Sequence, residues 1–245
     1  MATVLKKDYA RFVEGAKEIA KARVYTDYLR RYAYGVDASP YHYVPEVVVK
    51  ANSEAEVLAL VRLANECQTP VTFRAAGSSL SGQACSEDVL IVANDGFKGM
   101  EVIGNGEALR CACGVIGSDA NELLKPFNRK LGPDPATLAT ALVGGIFNNN
   151  SSGMCCGIAQ NSYQTVRSMR VILVDGTVLD TSNRKSVEAF MKQRPDIVEG
   201  LLDLRKDVLA DPELVEMISR KYKIKNTTGY GLNSLLDFED VVDIL

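Results

Sequence analysis

The stretch from Pro70 to Gly82 constrains this chain most, because it joins a short strand pattern to a run of small residues. Val71–Phe73 is a β-type run that leads into Arg74, and residues 75–79 read Ala-Ala-Gly-Ser-Ser. Such small residues let backbone N–H groups turn inward and form a nest for an anion. The arginine adds a fixed positive charge, and the two serines add hydroxyl donors. The pattern predicts a diphosphate-binding loop; a surface turn between two strands is the alternative.

The loop matches neither of the two common phosphate-binding motifs. A P-loop ends in Gly-Lys-Ser/Thr, but this chain has no lysine between Lys50 and Lys98. The Rossmann fingerprint needs Gly-x-Gly-x-x-Gly at the start of a helix, whereas Gly77 and Gly82 are separated by four other residues and precede a non-amphipathic stretch. A third kind of phosphate site is therefore expected.

Composition excludes several classes of function. The 245 residues suffice for one large domain or two lobes, and the net charge of -3 gives no support for nucleic-acid binding. No apolar run has the length of a membrane span, and residues 1–8 do not resemble a signal peptide. The six cysteines lack the spacing of a zinc site or a disulfide framework. We expect reduced thiols in a cytoplasmic protein, soluble or peripheral to the inner face of the membrane.

The pattern before the loop predicts a βαβ unit. Residues 6–34 show helical periodicity, and residues 47–49 form a short apolar strand. Ser53 and Glu56 form a capping box for a helix that ends near Cys67, and the strand at 71–74 follows. The small-residue loop then lies at the carboxyl end of the second strand, where α/β units bind their ligands.

The pattern after the loop predicts short strands followed by helices. Strands are expected at 89–93, 100–103, 109–113 and 166–174, with a hairpin turn at Asp175-Gly176. Ser118 or Asp119 is expected to cap a helix that continues to residue 127. Helices are expected again from residue 186, and Asp211-Pro212 has the pattern of an N-cap followed by a first-turn proline.

A second informative stretch covers residues 132–153. Gly144 and Gly145 allow a ligand to approach the backbone closely, and the three asparagines and two serines that follow can form hydrogen bonds. A loop of turn-forming residues is one interpretation. The apolar residues at 141–143 and 146–147 favour the other interpretation, a buried segment that faces a ligand.

Both stretches resemble the FAD-binding domain of the vanillyl-alcohol oxidase, or PCMH-type, flavoprotein family. That family reads Pro-Val-x-x-Arg-Gly-Ala-Gly-Thr-Ser-Leu-x-Gly, then Pro-Asp-Pro-Ser, then Gly-Gly with an asparagine-rich run. This chain is similar at 70–82, at 133–136 and at 144–153. Residues 34–39 and 225–230 resemble the branch of D-lactate, glycolate and D-2-hydroxyglutarate dehydrogenases that is often fused to an iron–sulfur region.

The resemblance implies an α+β fold with two lobes. A small βαβ lobe and a larger lobe, with a mixed or antiparallel sheet flanked by helices, would bind FAD between them. The expected boundaries are an N-terminal helical segment at 1–45, a first lobe with the pyrophosphate loop at 46–115, and a second lobe at 116–245. The second lobe would end before the family's substrate or cap domain.

The resemblance also implies which residues bind FAD. The loop at 74–80 would hold the pyrophosphate, and the segment at 133–153 would line the ribityl and isoalloxazine side. Ala75 replaces the family's usual glycine, and Ala76 lies where some relatives attach FAD covalently through histidine, so non-covalent binding is expected. The full set is Arg74, Ala75, Ala76, Gly77, Ser78, Ser79, Leu80, Gly82, Pro133, Asp134, Thr137, Thr140, Gly144, Gly145, Asn148, Asn149, Ser152 and Gly153.

The implied activity is oxidation of a D-2-hydroxy acid to the 2-oxo acid by hydride transfer to flavin N5. A sugar or alcohol oxidase domain and a non-catalytic FAD-binding subunit of a larger complex are the alternatives. Electrons would pass to a quinone, a cytochrome or an iron–sulfur partner. The family places its substrate-binding residues and metal ligands beyond residue 245, so no catalytic residue or metal site is assigned, and any iron–sulfur cluster or divalent metal would lie outside this chain. The single histidine, His42, is expected to be a packed or partly exposed loop residue.

Overall fold

A computed structural model describes residues 7–226 and 231–245, and its fold is α+β, as expected. The N-terminal residues 1–6 and most of the Lys225–Tyr230 motif lie outside the described residues. The strands are β1 Val24–Tyr25, β2 Val47–Ala51, β3 Val71–Arg74, β4 Val89–Ala93, β5 Met100–Ile103, β6 Ala108–Cys111, β7 Arg170–Ile172 and β8 Val178–Asp180. The helices are α1 Tyr9–Ala20, α2 Tyr28–Ala33, α3 Glu54–Cys67, α4 Gly117–Leu124, α5 Val143–Asn148, α6 Ser162–Thr165, α7 Arg184–Gln193, α8 Pro195–Ala210, α9 Pro212–Lys221, α10 Ser234–Asp237 and α11 Val241–Ile244.

The main sheet has the strand order β1-β2-β4-β3. Strand β4 pairs in parallel with both β2 and β3, so that Ile91 lies opposite Val49 on one side and Phe73 on the other. The expected β2–α3–β3 unit is present, but its crossover passes over β4, which lies between the two strands. The loop that begins at residue 75 leaves the carboxyl end of β3, as the sequence pattern indicates.

Apolar side chains cover both faces of this sheet. On one face α1 and α3 contribute fully buried Phe12 and Leu60, which belong to the same cluster as Val49 and Ile91. On the other face Val48, Leu90 and Val92 pack with Tyr25 and Tyr34. Each such buried side chain contributes about 1.5–3 kcal/mol relative to an exposed one. The packing on both faces therefore fixes the position of β3 and of the loop that follows it.

The N-terminal region corrects two local predictions. The helix expected over 6–34 ends at Lys21, where the backbone takes a positive φ of 54°. Val24 and Tyr25 then pair with β2, and Asp27 caps the separate helix α2. The capping box on α3 is only half formed: the Ser53 side chain accepts from the Glu56 N–H, but the Glu56 carboxylate accepts from the Asn52 N–H. Glu56 also pairs with Arg23, and this ion pair draws its carboxylate away from the usual capping position.

The antiparallel strands beyond the first sheet form two separate hairpins, β5–β6 and β7–β8. The strand expected over 166–174 is limited to β7, and the turn at Asp175-Gly176 joins it to β8 as expected. Helix α4 has Ile116 at its N-cap with no side-chain cap, so the expected capping by Ser118 or Asp119 is wrong. Asp211 does cap α9. The expected domain boundaries remain a prediction.

Three further findings concern the described part of the chain. None of its helices is long and apolar enough to cross a membrane. It contains no group of three or more potential metal-ligating side chains. All six cysteines, which fall within the described residues, are free thiols.

Candidate functional site

The small-residue loop is shaped by glycine and by the arginine that precedes it. Gly77 and Gly82 have φ angles of +74° and +78°, which side-chain-bearing residues rarely adopt. A Cβ atom on Gly77 would lie 2.2 Å from Arg74 Nη2, and one on Gly82 would lie 2.9 Å from the ring of Tyr41. Both glycines are thus required by backbone angle and by close packing.

The Arg74 side chain folds back beneath its own loop. Its Nη1 atom donates to the backbone oxygens of Val36 at 2.7 Å, Ala84 at 3.2 Å and Tyr34 at 3.3 Å. Its guanidinium carbon also lies 5.7 Å from the centroid of the Tyr34 ring. One side chain therefore joins two separate segments of backbone, residues 34–36 and residue 84. The sequence pattern assigned its charge to the diphosphate, and that role stays a prediction.

Asp37 is a part of this site that the sequence reasoning missed. One of its carboxylate oxygens accepts from the Ser39 N–H at 2.8 Å, and the other is buried without a hydrogen-bond partner in the described structure. Burial alone raises the pKa of this carboxyl, but the hydrogen bond from Ser39 and the nearby polar groups of Ala84 and Ser79 outweigh burial, so the pKa is lowered. The Asp-Ala-Ser pattern of an Asx turn is the sequence signal that could have identified it.

A short hydrogen-bonded chain brings the two informative stretches together. The Ser79 hydroxyl accepts from the N–H groups of Ser81 and Gln83, each at 3.3 Å, and contacts the Gln83 side-chain oxygen. The Gln83 Nε2 atom donates to Asn149 Oδ1 at 3.3 Å. Two residues 66 positions apart are thereby joined. Gln83 was not among the predicted site residues.

The glycine pair begins a short helix rather than a loop. The Gly144 N–H donates to the Cys113 carbonyl at 2.8 Å, and a Cβ on Gly144 would lie 2.6 Å from Cys113 Cβ. A Cβ on Gly145 would have one neighbouring atom within 4 Å in the described structure, Ala75 Cβ at 3.3 Å. Gly144 is thus packed against the protein, whereas Gly145 faces the first residue of the small-residue loop.

The Asp134 carboxylate accepts hydrogen bonds from backbone N–H groups of the protein. Its two carboxylate oxygens accept from the N–H groups of Cys156 at 3.1 Å and Cys155 at 3.2 Å. Burial alone would raise its pKa, but these hydrogen bonds outweigh that effect, so the pKa lies below its ordinary value. A Cβ on Gly153 would lie 1.9 Å from the Asp134 carbonyl oxygen. Asp134 and Gly153 therefore fix the loop beyond α5.

The other predicted site residues differ in exposure. Pro133 and Ser152 are buried, and the Ser152 hydroxyl has no hydrogen-bond partner in the described structure. Asn148 donates through its side chain to the Gly144 carbonyl at 2.9 Å. Exposed positions are Ala76, Leu80, Thr137, Thr140, Asn148 and Asn149, and half-buried ones are Ala75 and Ser78. His42 is an exposed loop residue whose ring lies edge-on to Tyr32 at 4.6 Å.

Comparison with known proteins decides the family. Residues 45–182, more than half of the chain, match the family described as FAD binding domain. The chain belongs to the FAD-binding domain family. The match covers both the small-residue loop and the glycine pair, so the two stretches joined by Gln83 lie within one known cofactor-binding domain.

Two dehydrogenases and one solved structure show the range of likeness. The D-2-hydroxyglutarate dehydrogenase of Escherichia coli (strain K12) is 30% identical over 160 residues, which is 64% of this chain and 16% of that protein. The D-lactate dehydrogenase of Archaeoglobus fulgidus is 28% identical over 162 residues, which is 62% of this chain and 35% of that protein. The structure of p-cresol methylhydroxylase with substrate bound superimposes with a TM-score of 0.59 at 17% identity, covering 71% of this chain and 35% of that one.

These comparisons confirm the expected PCMH-type fold and the likeness to D-2-hydroxy-acid dehydrogenases. The chain spans about a sixth and about a third of the lengths of the two dehydrogenases it matches. The structural likeness, at 17% identity, concerns the fold alone.

The arrangement of residues fits the FAD that the family implies. The loop after β3 turns at Gly77 and contains two serines, a chemistry suited to a diphosphate. Gly145 leaves space opposite Ala75 that a side chain would fill, and the buried Ser152 hydroxyl lacks a protein partner. A dinucleotide can supply both a flat surface and hydrogen-bond acceptors at such places.

Proposed function

We propose that this chain binds FAD non-covalently and forms the cofactor-binding part of an enzyme that oxidises a D-2-hydroxy acid to the 2-oxo acid. The observation that carries the proposal is the Gln83–Asn149 contact, which holds the small-residue loop beside the Gly145 segment within the matched domain. The likeness to D-2-hydroxyglutarate and D-lactate dehydrogenases supports the substrate class.

Each segment would have a separate task in this function. Backbone N–H groups of residues 75–80 and the Ser78 hydroxyl would bind the diphosphate. The Ser79 hydroxyl would join them by exchanging its contact with the Gln83 side-chain oxygen for one with a phosphate oxygen. The backbone at Gly145 and the Ser152 hydroxyl would contact the rest of the cofactor. Because Gly144 is already packed on Cys113, its role would be to fix the position of Gly145. Bound FAD would supply the hydride acceptor for the α-carbon of the hydroxy acid, and electrons would leave to a quinone, a cytochrome or an iron–sulfur partner.

No general base is assigned to the described residues. His42 packs on Tyr32 in the N-terminal region, and the carboxylates of Asp37 and Asp134 accept hydrogen bonds from the chain itself. The groups that orient a substrate carboxylate and remove its hydroxyl proton would therefore come from other parts of the full-length enzyme.

A substrate panel tests the proposal. Full-length protein loaded with FAD is mixed anaerobically with D-lactate, glycolate or D-2-hydroxyglutarate, and the flavin absorbance near 450 nm is followed. We expect one of the three to bleach the band within seconds to minutes. A protein that binds FAD but is bleached only by sugars or alcohols would support an oxidase domain on the same fold. FAD binding without bleaching by any of these would favour a non-catalytic subunit.

A further inference from the structure

Arg74 occupies a central place beneath the proposed diphosphate loop. Its Nη1 donates to the carbonyls of Tyr34, Val36 and Ala84, the last two at 2.7 and 3.2 Å. A Cβ atom placed on Gly77 would lie 2.2 Å from Arg74 Nη2. The guanidinium therefore packs directly against the turn of the loop. These contacts come from the region before β2, from the turn and from the end of the loop.

The Asp37 carboxylate belongs to the same N-terminal segment that Arg74 contacts. The Asp37 carboxylate follows Val36, whose carbonyl accepts from Arg74, and it accepts a hydrogen bond from Ser39. The buried Cys85 thiol lies within electrostatic range of both groups: Asp37 raises its pKa and Arg74 lowers it, in addition to the larger raising effect of burial. Asp37 and Arg74 therefore both lie near the Cys85 thiol, at the base of the loop.

We infer that Arg74 is a positioning residue which clamps residues 34–36 and 84 to the turn at Gly77, and that the diphosphate is held by the loop amides and serine hydroxyls rather than by the guanidinium. The inference rests on the proposed function, since it concerns how that FAD site is shaped. A planar guanidinium can serve several carbonyls and a flat packing surface at once, which a lysine ammonium cannot do.

Hydrogen exchange on the protein without cofactor tests the clamp. Exchange at residues 75–84 is measured in the native chain, in Arg74→Ala, in Arg74→Lys and in the control Arg184→Ala, which removes an exposed arginine on α7. We expect exchange in this loop to be about tenfold faster in both Arg74 variants, with β2 and β4 unchanged and the control like the native chain. Native-like exchange in both Arg74 variants would overturn the inference.

Measured FAD affinities distinguish a positioning role of Arg74 from a direct contact between its guanidinium and the phosphates. A clamp predicts that Arg74→Lys binds FAD about as weakly as Arg74→Ala, and that the dependence of log Kd on log salt is the same in both variants and in the native chain. A direct contact predicts that lysine restores most of the affinity, because a point charge suffices for phosphate, and that Arg74→Ala flattens the salt dependence. Those two results would overturn the inference. Absence of FAD binding by the native chain would count against the proposed function, while the exchange measurement would still decide the clamp.

Gly77 offers a second test of the same contact. Gly77→Ala places a methyl group against the guanidinium at a strained φ, so in the native background it should loosen residues 75–84. In the Arg74→Ala background the steric clash is gone, and the added effect of Gly77→Ala on exchange should shrink severalfold. Equal effects in the two backgrounds would show that Arg74 does not pack on the turn and would overturn the inference.

Discussion

The Asp134 side chain holds a neighbouring segment of backbone in place. Both its carboxylate oxygens accept from consecutive N–H groups, at Cys155 and Cys156. The sequence reasoning named Asp134 from a motif, but motif position gave no information about its partners, which lie some twenty residues away. Asp37 and Gln83 were missed for the same reason, since their importance comes from contacts that only the folded chain creates.

Replacing Asp134 by asparagine should make stability less dependent on pH. The pKa of Asp134 is lowered in the folded protein, from an ordinary value near 3.8. Its stabilising effect is therefore present above that value and is lost as the pH falls through the folded-state pKa. We expect Asp134→Asn to lower the free energy of unfolding by about 1 kcal/mol at pH 7, because asparagine has one acceptor oxygen in place of two.

Urea unfolding of the native chain and Asp134→Asn between pH 3 and pH 7 checks this prediction. The difference between the two proteins should narrow as the pH approaches 3. Asp207→Asn, at an exposed position on α8, is the matched control and should show little difference from the native chain at any pH. A constant difference between the native chain and Asp134→Asn across this range would contradict the role given to the carboxylate.

The elements of the first sheet illustrate what local pattern can and cannot predict. Strands β2 and β3 and helix α3 follow from apolar spacing and capping, and their bounds are nearly those expected. The place of β4 between β2 and β3 could not be predicted, because spatial strand order depends on tertiary packing rather than on sequence order. Helix α5 was missed because two glycines disfavour a helix, yet hydrogen bonds from its first turn to Val115 and Cys113 stabilise it.

A bulky residue on α5 should block the cofactor without unfolding the chain. A Cβ on Gly145 would lie 3.3 Å from Ala75, so the branched side chain of Gly145→Val would fill the space between the helix and the loop. We expect FAD affinity to fall at least tenfold while the circular dichroism spectrum is nearly unchanged. Gly200→Val is the matched control, because a Cβ there on α8 has no described atom within 4 Å. Native FAD affinity in Gly145→Val would exclude this segment from the site.

At the scale of the whole molecule, the proposed cofactor site lies within a domain of the FAD-binding family. It spans about a sixth of the E. coli relative and about a third of the A. fulgidus relative. The resemblance predicted the α+β fold and the FAD family, because several separated motifs occur in the right order. It could not predict which hydroxy acid would be the substrate, since the motifs are those expected to bind the cofactor.

These 245 residues loaded with FAD should not oxidise D-lactate or D-2-hydroxyglutarate. A base must lie within about 2.6–3.2 Å of the substrate hydroxyl, and the one imidazole of the chain, His42, packs edge-on to Tyr32. Anaerobic mixing should leave the flavin band unchanged over the time in which the full-length protein is bleached. Rapid bleaching of the loaded 245-residue chain would show that its own residues perform the chemistry.

Titration of the purified, cofactor-free chain with FAD tests the central claim most directly. Quenching of flavin fluorescence, repeated by calorimetry, reports the affinity and the stoichiometry. The account predicts saturable binding of one FAD per chain, with bound cofactor released by denaturation as expected for a non-covalent complex. No saturable binding by a chain that retains its helical circular dichroism, or flavin that stays attached after denaturation, would contradict it.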